Sequence, residues 1–243
     1  MNLLLISNST MAGEPYLGWS MPHILAFFRQ RKIRKVCFIP YAGVHLHPES
    51  LQKSYDTYTE RVASEFQKAA ILTESVHQTM HPVQMALEAD AFVVGGGNTF
   101  HLVAELHTTG LMAVIREKAL SGTPFAGWSA GANVACPTLM TTNDMPIVEP
   151  ASFDTLGLVP FQINPHYLDA NPSGHGGETR QQRIEEYLAV NRTKTVAGLR
   201  EGCFLKLEEN RLTLHGGKSL RLFRWGKAPE ELPAGSDVTF LMG

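Results

Sequence analysis

The sequence predicts an α/β protein built on a doubly wound, mostly parallel sheet with an antiparallel carboxyl-terminal flank. Three observations predict it. Four short, nearly continuous apolar runs, at 3–6, 36–39, 91–94 and 125–128, have the texture of strands covered on both faces. Stretches with helical spacing of apolar residues lie between them and supply the crossovers that parallel neighbours need. After Thr195 the texture changes to closely spaced short apolar runs, two of them linked by Glu209-Asn210, a hairpin signal.

Taken in order, the first run, Leu3-Leu4-Leu5-Ile6, ends at the polar Ser7-Asn8-Ser9-Thr10 and has no basic residues before it, so it reads as a buried first strand rather than a leader peptide. Helices are predicted over 22–31, 48–70, 99–106 and 111–120, the last two separated by a break at Thr108-Thr109-Gly110. Phe161-Gln162-Ile163 reads as another short strand, after which Pro165 pushes Asn164 toward an extended conformation. Thr179 with Gln182 three residues later forms a capping-box pattern ahead of Ile184, Tyr187 and Leu188, which starts a helix at Arg180. The runs at 196–199, 203–207, 211–214 and 220–223 are expected to flank the same sheet.

The chain has 243 residues, 44% hydrophobic and 18% charged, without repeats, low-complexity tracts or linkers, which predicts one domain spanning 1–243. A formal net charge of -2 and no basic stripe argue against a nucleic-acid partner, and no apolar stretch is long enough for a membrane partner. The three cysteines sit apart among apolar neighbours, as reduced core thiols do in the cytoplasm, the expected compartment. A homodimer is compatible with such a chain.

The chemistry concentrates at Gly127-Trp128-Ser129-Ala130-Gly131, a G-x-S-x-G pattern between an apolar run and small helix-compatible residues. A serine on a tight strand-to-helix turn projects its hydroxyl above the sheet edge, and flanking glycines let the backbone turn without collision. The Ala130 amide, next in the chain, can then face a developing oxyanion. A second loop, Gly95-Gly96-Gly97-Asn98-Thr99, follows the third apolar run. It departs from phosphate-loop spacing and reads as the other half of an oxyanion hole at Gly97, with the Asn98 amide available to substrate. A tight turn with Asn98 or Thr99 as helix cap is the simpler reading.

A serine nucleophile needs a base, and of the ten histidines His166 is placed best, at the end of a short strand on the active edge. His175 lies in a glycine-rich loop nearby. His45 and His47 alternate in a polar loop but lack a third ligand, so no metal is expected. His23, His77, His81, His101, His107 and His215 read as surface or capping residues. Two carboxylates compete to orient His166: Asp144 gives the chain order Ser-Asp-His, and Glu201 gives Ser-His-Glu. Their simpler readings are a turn carboxylate for Asp144 and a partner of Arg200 for Glu201. Arg180 in a first helical turn opposes the helix dipole, which favours a compensating contact such as a bidentate grip on a substrate carboxylate over pairing with Glu178.

Seven segments together resemble the peptidase E family of α-aspartyl dipeptidases, relatives of cyanophycinase with the class I glutamine-amidotransferase-like fold. They are Leu4-Leu5-Ile6-Ser7-Asn8-Ser9-Thr10, Ile39-Pro40-Tyr41-Ala42-Gly43, the stretches 94–100, 127–137, 141–148 and 162–166, and Gly177-Glu178-Thr179-Arg180; residues 12–20 fit less closely. The resemblance implies a cofactor-free serine peptidase acting on a small peptide, an Asp-X dipeptide. It places the nucleophile on Ser129, the base on His166, the acid on Asp144 or Glu201 and the aspartate-binding arginine on Arg180. The Ser-His-Glu order suits that fold and leaves Asp144 to the geometry of its loop. A β-aspartyl peptidase of the cyanophycinase kind and a non-catalytic small-molecule binder are the alternatives.

Overall fold

The computed structural model describes residues 1–170, 174 and 176–243, so the reading of His175 falls outside the described residues. The four apolar runs form β1 (Leu3–Ile6), β2 (Lys35–Ile39), β4 (Phe92–Val94) and β5 (Phe125–Trp128), with β3 (Leu72–Ser75) added beyond β2. These five pair in parallel, and β8 (Cys203–Glu208) and β9 (Arg211–Gly216) extend the sheet antiparallel, giving the order β3-β2-β4-β5-β1-β8-β9. β3 was not legible in the sequence because Leu72-Thr73-Glu74-Ser75 is half polar, as an edge strand with one partner can be. Glu209 and Asn210 both take left-handed φ, 50° and 62°, the conformation a two-residue hairpin needs between β8 and β9.

Alternate side chains of each strand face opposite layers, and helices cover both layers. Leu4, Ile6, Phe38, Val93 and Trp128 pack against α1 (Met21–Arg29) and α2 (Leu51–Gln67) through Phe27, Phe28, Val62 and Phe66. Leu3, Leu5, Ile39, Phe92 and Val94 pack against α4 (Thr99–Thr108) and α5 (Leu111–Leu120), with the short α3 (Pro82–Leu87) beside them. Burial on both faces explains why these strands read as continuous apolar runs. Ser50 caps α2 and Gly110, at φ 73°, breaks the chain between α4 and α5.

The carboxyl-terminal runs do not all flank one sheet. β6 (Gln162–Pro165), β7 (Thr195–Leu199), β10 (Leu220–Arg224) and β11 (Glu230–Leu232) form a second sheet of order β11-β10-β7-β6, and only β8 and β9 join the first. β7 is buried on both faces: Ala197 and Leu199 turn toward the main core, while Val196 packs with Phe223 and with Ile184 and Leu188 of α7 (Arg180–Val190). The apolar run at 196–199 records that double burial, but not that β7 belongs to a second sheet, which is a long-range property.

Of the histidines read as surface or capping residues, His77 and His215 are partly buried and structural instead, while His23 is exposed as expected and still packs on an aromatic ring. His77, with 2% of its side chain exposed, bridges Ser75 Oγ at 2.6 Å and Asp56 Oδ1 at 2.9 Å and ties α2 to β3. His23 and His215 flank the Phe204 ring, with centroids 4.7 and 4.9 Å away. Burial pushes both imidazoles below their ordinary value of 6.5, helped at His215 by the Lys206 charge. A lowered folded-state value means that the unfolded chain binds protons more readily, so this stability is present above pH 6.5 and is lost as pH falls below it. His215→Gln should therefore melt below the parent near pH 7.5, and the gap should narrow as pH falls toward about 5. Melting temperatures across that range test it; a gap that stays constant with pH would exclude the titration.

Candidate active site

Ser129 ends β5 at φ 55° and ψ -114°, a left-handed position for a residue with a side chain. Such a conformation costs on the order of 1–3 kcal/mol and needs support from around it. The Ser129 amide donates to Ile6 O at 3.0 Å, and its carbonyl accepts from Ala132 and Asn133 at 2.9 Å each, starting α6 (Ala130–Asn133). A Cβ at Gly127 would stand 2.2 Å from Gly131 O, and one at Gly131 would stand 2.1 Å from Val94 O. Only glycine lets strand, turn and helix cross this closely. Opposite lies the loop after β4, fastened by Asn98 N donating to Ala42 O at 2.8 Å. Gly97 takes φ 138° with no room for a Cβ beside Ala42 O. Among the described residues neither the Gly97 nor the Ala130 amide donates to a protein acceptor, so both are available to an oxyanion.

His166 follows β6 and also takes a positive φ, 53°. Its amide donates to Ser7 Oγ at 3.0 Å, and the Ser7 hydroxyl donates to Leu199 O at 2.8 Å, so one buried serine fixes the ends of β6 and β7 against the end of β1. Asparagines brace the strand: Asn133 Nδ2 donates to Ile163 O at 2.8 Å, Asn164 Nδ2 to Thr141 O at 2.9 Å and Asn143 Nδ2 to Pro165 O at 2.7 Å. The imidazole Nε2 then lies 2.9 Å from Ser129 Oγ, and Nδ1 lies 2.9 Å from Glu201 Oε1. A proton on Nδ1 bonded to the carboxylate leaves Nε2 free to accept the serine proton.

Glu201 does not pair with Arg200. The Arg200 guanidinium, in a residue 8% exposed, turns inward to Asp169 at 2.9 Å, to Glu231 at 2.8 Å and to Ser219 O at 2.7 Å, and the two carboxylates hold it well above its ordinary value. That network and the Gly202 amide, donating to Asn8 Oδ1 at 2.9 Å, set the turn that presents Glu201. Asp144 sits elsewhere: its Oδ2 accepts from Thr99 N at 2.7 Å, Thr99 Oγ1 at 2.6 Å and Thr142 Oγ1 at 2.9 Å, at the amino terminus of α4. The two carboxylates proposed from the sequence for one role thus occupy different places. The Asn98 side chain caps α4 through His101 N at 3.0 Å and donates to Met145 O at 2.9 Å, so its amide is engaged inside the protein and not free for substrate as expected.

Ser129 and His166 stand between two cavities. The smaller, about 260 Å³, is lined by Thr99, Ala130, Asp144 and Arg180 as well. Arg180 begins α7 behind the capping box read from the sequence, and Glu178 pairs at 3.7 Å with Arg183 instead. Among the described residues no carboxylate pairs with Arg180. Burial pushes its guanidinium down from the ordinary value, the Arg183 charge adds to this, and the Asp144 carboxylate opposes it. A half-buried cation that lacks a paired carboxylate is able to receive an anion. The larger cavity, about 480 Å³, extends over the Gly96–Asn98 side past His45, Tyr16 and Arg61. Among the described residues no cluster of His, Cys, Asp or Glu could hold a metal, so His45 and His47 find no third ligand. Ser7, Arg61 and Arg200 were missed in the sequence; a polar serine directly after the first strand was the available signal for Ser7.

The chain matches the pattern of Peptidase family S51 over residues 3–215. It is 45% identical over 240 residues to a Nostoc peptidase E, covering 99% of this chain and 96% of that one. It is 47% identical over 243 residues to peptidase E of Streptomyces coelicolor, covering 100% and 95%. The crystal structure of a peptidase from an acI-B1 actinobacterium superposes with a TM-score of 0.70 at 16% identity over 98% of this chain and 96% of that one, which shows a shared fold.

Two measurements test the geometry directly, using the rate at which a serine-directed fluorophosphonate modifies Ser129. Glu201→Gln should slow modification by on the order of 10³-fold or more while the protein stays folded, because the amide cannot stabilise an imidazolium; Asp144→Asn should leave the rate within about threefold. A reversal would move the orienting role to Asp144. Ser7→Ala leaves the His166 amide without its acceptor, at about 1–3 kcal/mol of stability, and should slow modification by about tenfold or more. Full reactivity in that variant would show that β6 holds His166 unaided.

Proposed function

The chain belongs to peptidase family S51, and from that premise we propose that it is a dipeptidase that removes an amino-terminal aspartate from α-Asp-X dipeptides in the cytoplasm, as a single domain spanning 1–243. No helix among the described residues is long and apolar enough to cross a membrane. The observation that supports the reading is the smaller cavity, where, among the described residues, a cation without a carboxylate partner, Arg180, and a carboxylate bound only by neutral donors, Asp144, flank Ser129. An amino-terminal aspartate carries the complementary charges. Its side-chain carboxylate meets Arg180, and its α-ammonium meets Asp144, which leaves the scissile carbonyl over Ser129. Endopeptidase substrates lack that ammonium.

In the proposed mechanism His166 Nε2 takes the proton of Ser129 Oγ as the oxygen attacks the carbonyl carbon. The amides of Gly97 and Ala130 hold the oxyanion, each such donor lowering the barrier by roughly 2.7–4 kcal/mol. Glu201 fixes the tautomer and stabilises the imidazolium, which then protonates the departing amino group. Water, deprotonated by His166, cleaves the aspartyl ester and restores the serine.

Purified protein assayed on Asp-Leu, Ala-Leu and β-Asp-Leu tests the reading. Asp-Leu should be cleaved far faster than the other two. Turnover of β-Asp-Leu alone would make it a β-aspartyl peptidase, and binding without turnover or fluorophosphonate labelling would make it a binder. Ser129→Ala should lose on the order of a millionfold in turnover. Arg180→Ala should lower kcat/KM for Asp-Leu by about 10- to 150-fold, the equivalent of roughly 1.5–3 kcal/mol for a charged hydrogen bond, with far less effect on Ala-Leu. Equal losses on both would assign Arg180 to the fold.

A further inference from the structure

The larger cavity carries a charge that the aspartyl end of a substrate does not use. It opens on the other side of Ser129 and His166 from Asp144 and Arg180. Among the described residues no Asp or Glu lines it, and its one permanent cation is Arg61 on α2. Among the described residues the Arg61 guanidinium forms no ion pair. It lies instead over the Tyr16 ring, 5.3 Å from the centroid. Tyr16 stands edge-on to Tyr58 with centroids 6.5 Å apart, and the Tyr58 hydroxyl donates to Gly96 O at 2.9 Å and accepts from Trp128 Nε1 at 3.1 Å. A line of packed aromatic rings therefore runs from the residues beside Ser129 to Arg61, and holds the cation over the cavity without neutralising it.

We infer that Arg61 receives the free carboxyl-terminal carboxylate of the substrate, and that it makes this site select dipeptides over amino-terminal aspartyl amides. The inference rests on the reading of the site as an Asp-X dipeptidase. An Asp-X dipeptide has three charges, and the site offers three counterparts in matching order: Asp144 for the ammonium, Arg180 for the side-chain carboxylate, and Arg61 beyond the scissile bond for the terminal carboxylate. With no acid lining that side, an anion entering it meets no repulsion from a carboxylate. The contact is remote from the reacting carbonyl and equally strong before and during reaction, so it lowers KM with little effect on kcat.

The test compares Asp-Leu with Asp-Leu-amide, which lacks the terminal charge, in the parent protein and in Arg61→Ala and Arg61→Lys. Because Arg61 is exposed to solvent, the parent should favour Asp-Leu by about 2- to 5-fold in kcat/KM, through KM. Arg61→Ala should bring that ratio close to one, Arg61→Lys should restore part of it, and added salt should erode it in the parent. A parent ratio near one, or an unchanged ratio in Arg61→Ala, would overturn the inference and leave the dipeptidase reading standing. Cleavage of neither compound by the parent would overturn that reading, and this inference with it.

Discussion

The Ser7 hydroxyl is the joint on which the rest of the site depends. It sits at the carboxyl end of β1, where the seven-stranded sheet abuts the four-stranded one, and holds the His166 amide and the Leu199 carbonyl together. Ser129 follows a strand of the first sheet, and His166 and Glu201 follow strands of the second. A catalytic hydrogen bond tolerates misplacement of a few tenths of an ångström, so the two sheets need a fixed relation at this point. A buried hydroxyl with one donor and two acceptor sites can bond both chains at once, which neither backbone could do for the other.

Ser129 and His166 share a second constraint, since both take a left-handed φ although both carry side chains. At Ser129 the turn is forced between glycines that leave no volume for an alternative path. At His166 the chain is pinned from both sides, by the Ser7 hydroxyl before the turn closes and by the Tyr167 amide donating to Leu199 O at 3.1 Å after it. Strain placed at these two residues aims their side chains at each other, and the surrounding hydrogen bonds offset its cost.

Electrostatics divides the site along the Ser129–His166 line. Arginines are handled in two ways. Arg200 is saturated by Asp169 and Glu231 and serves as a rigid post for the turn before Glu201, whereas Arg180 and Arg61 line cavities without a carboxylate partner among the described residues. The difference lies in supply: two acids from separate segments, Asp169 and Glu231, meet Arg200, and among the described residues none approaches the other two closely enough to pair. Asp144 is tied down by three neutral donors.

The local code was enough to determine much of this protein. Continuous apolar runs marked the strands buried on both faces, G-x-S-x-G marked the turn at Ser129, Thr179 with Gln182 marked the start of the helix bearing Arg180, and Pro165 marked the end of the strand before His166. Each signal is short-range, set by backbone sterics, capping or periodicity within a few residues. Tertiary structure alone decided that Glu201 rather than Asp144 meets His166, that Ser7 joins the sheets, that β7 and β10 leave the main sheet for a second one, and that the Asn98 amide turns inward. Those outcomes depend on which distant segments pack together, because a carboxylate or hydroxyl is equally able to bond any donor and only the burial of strands 35 to 200 positions apart selects the partner.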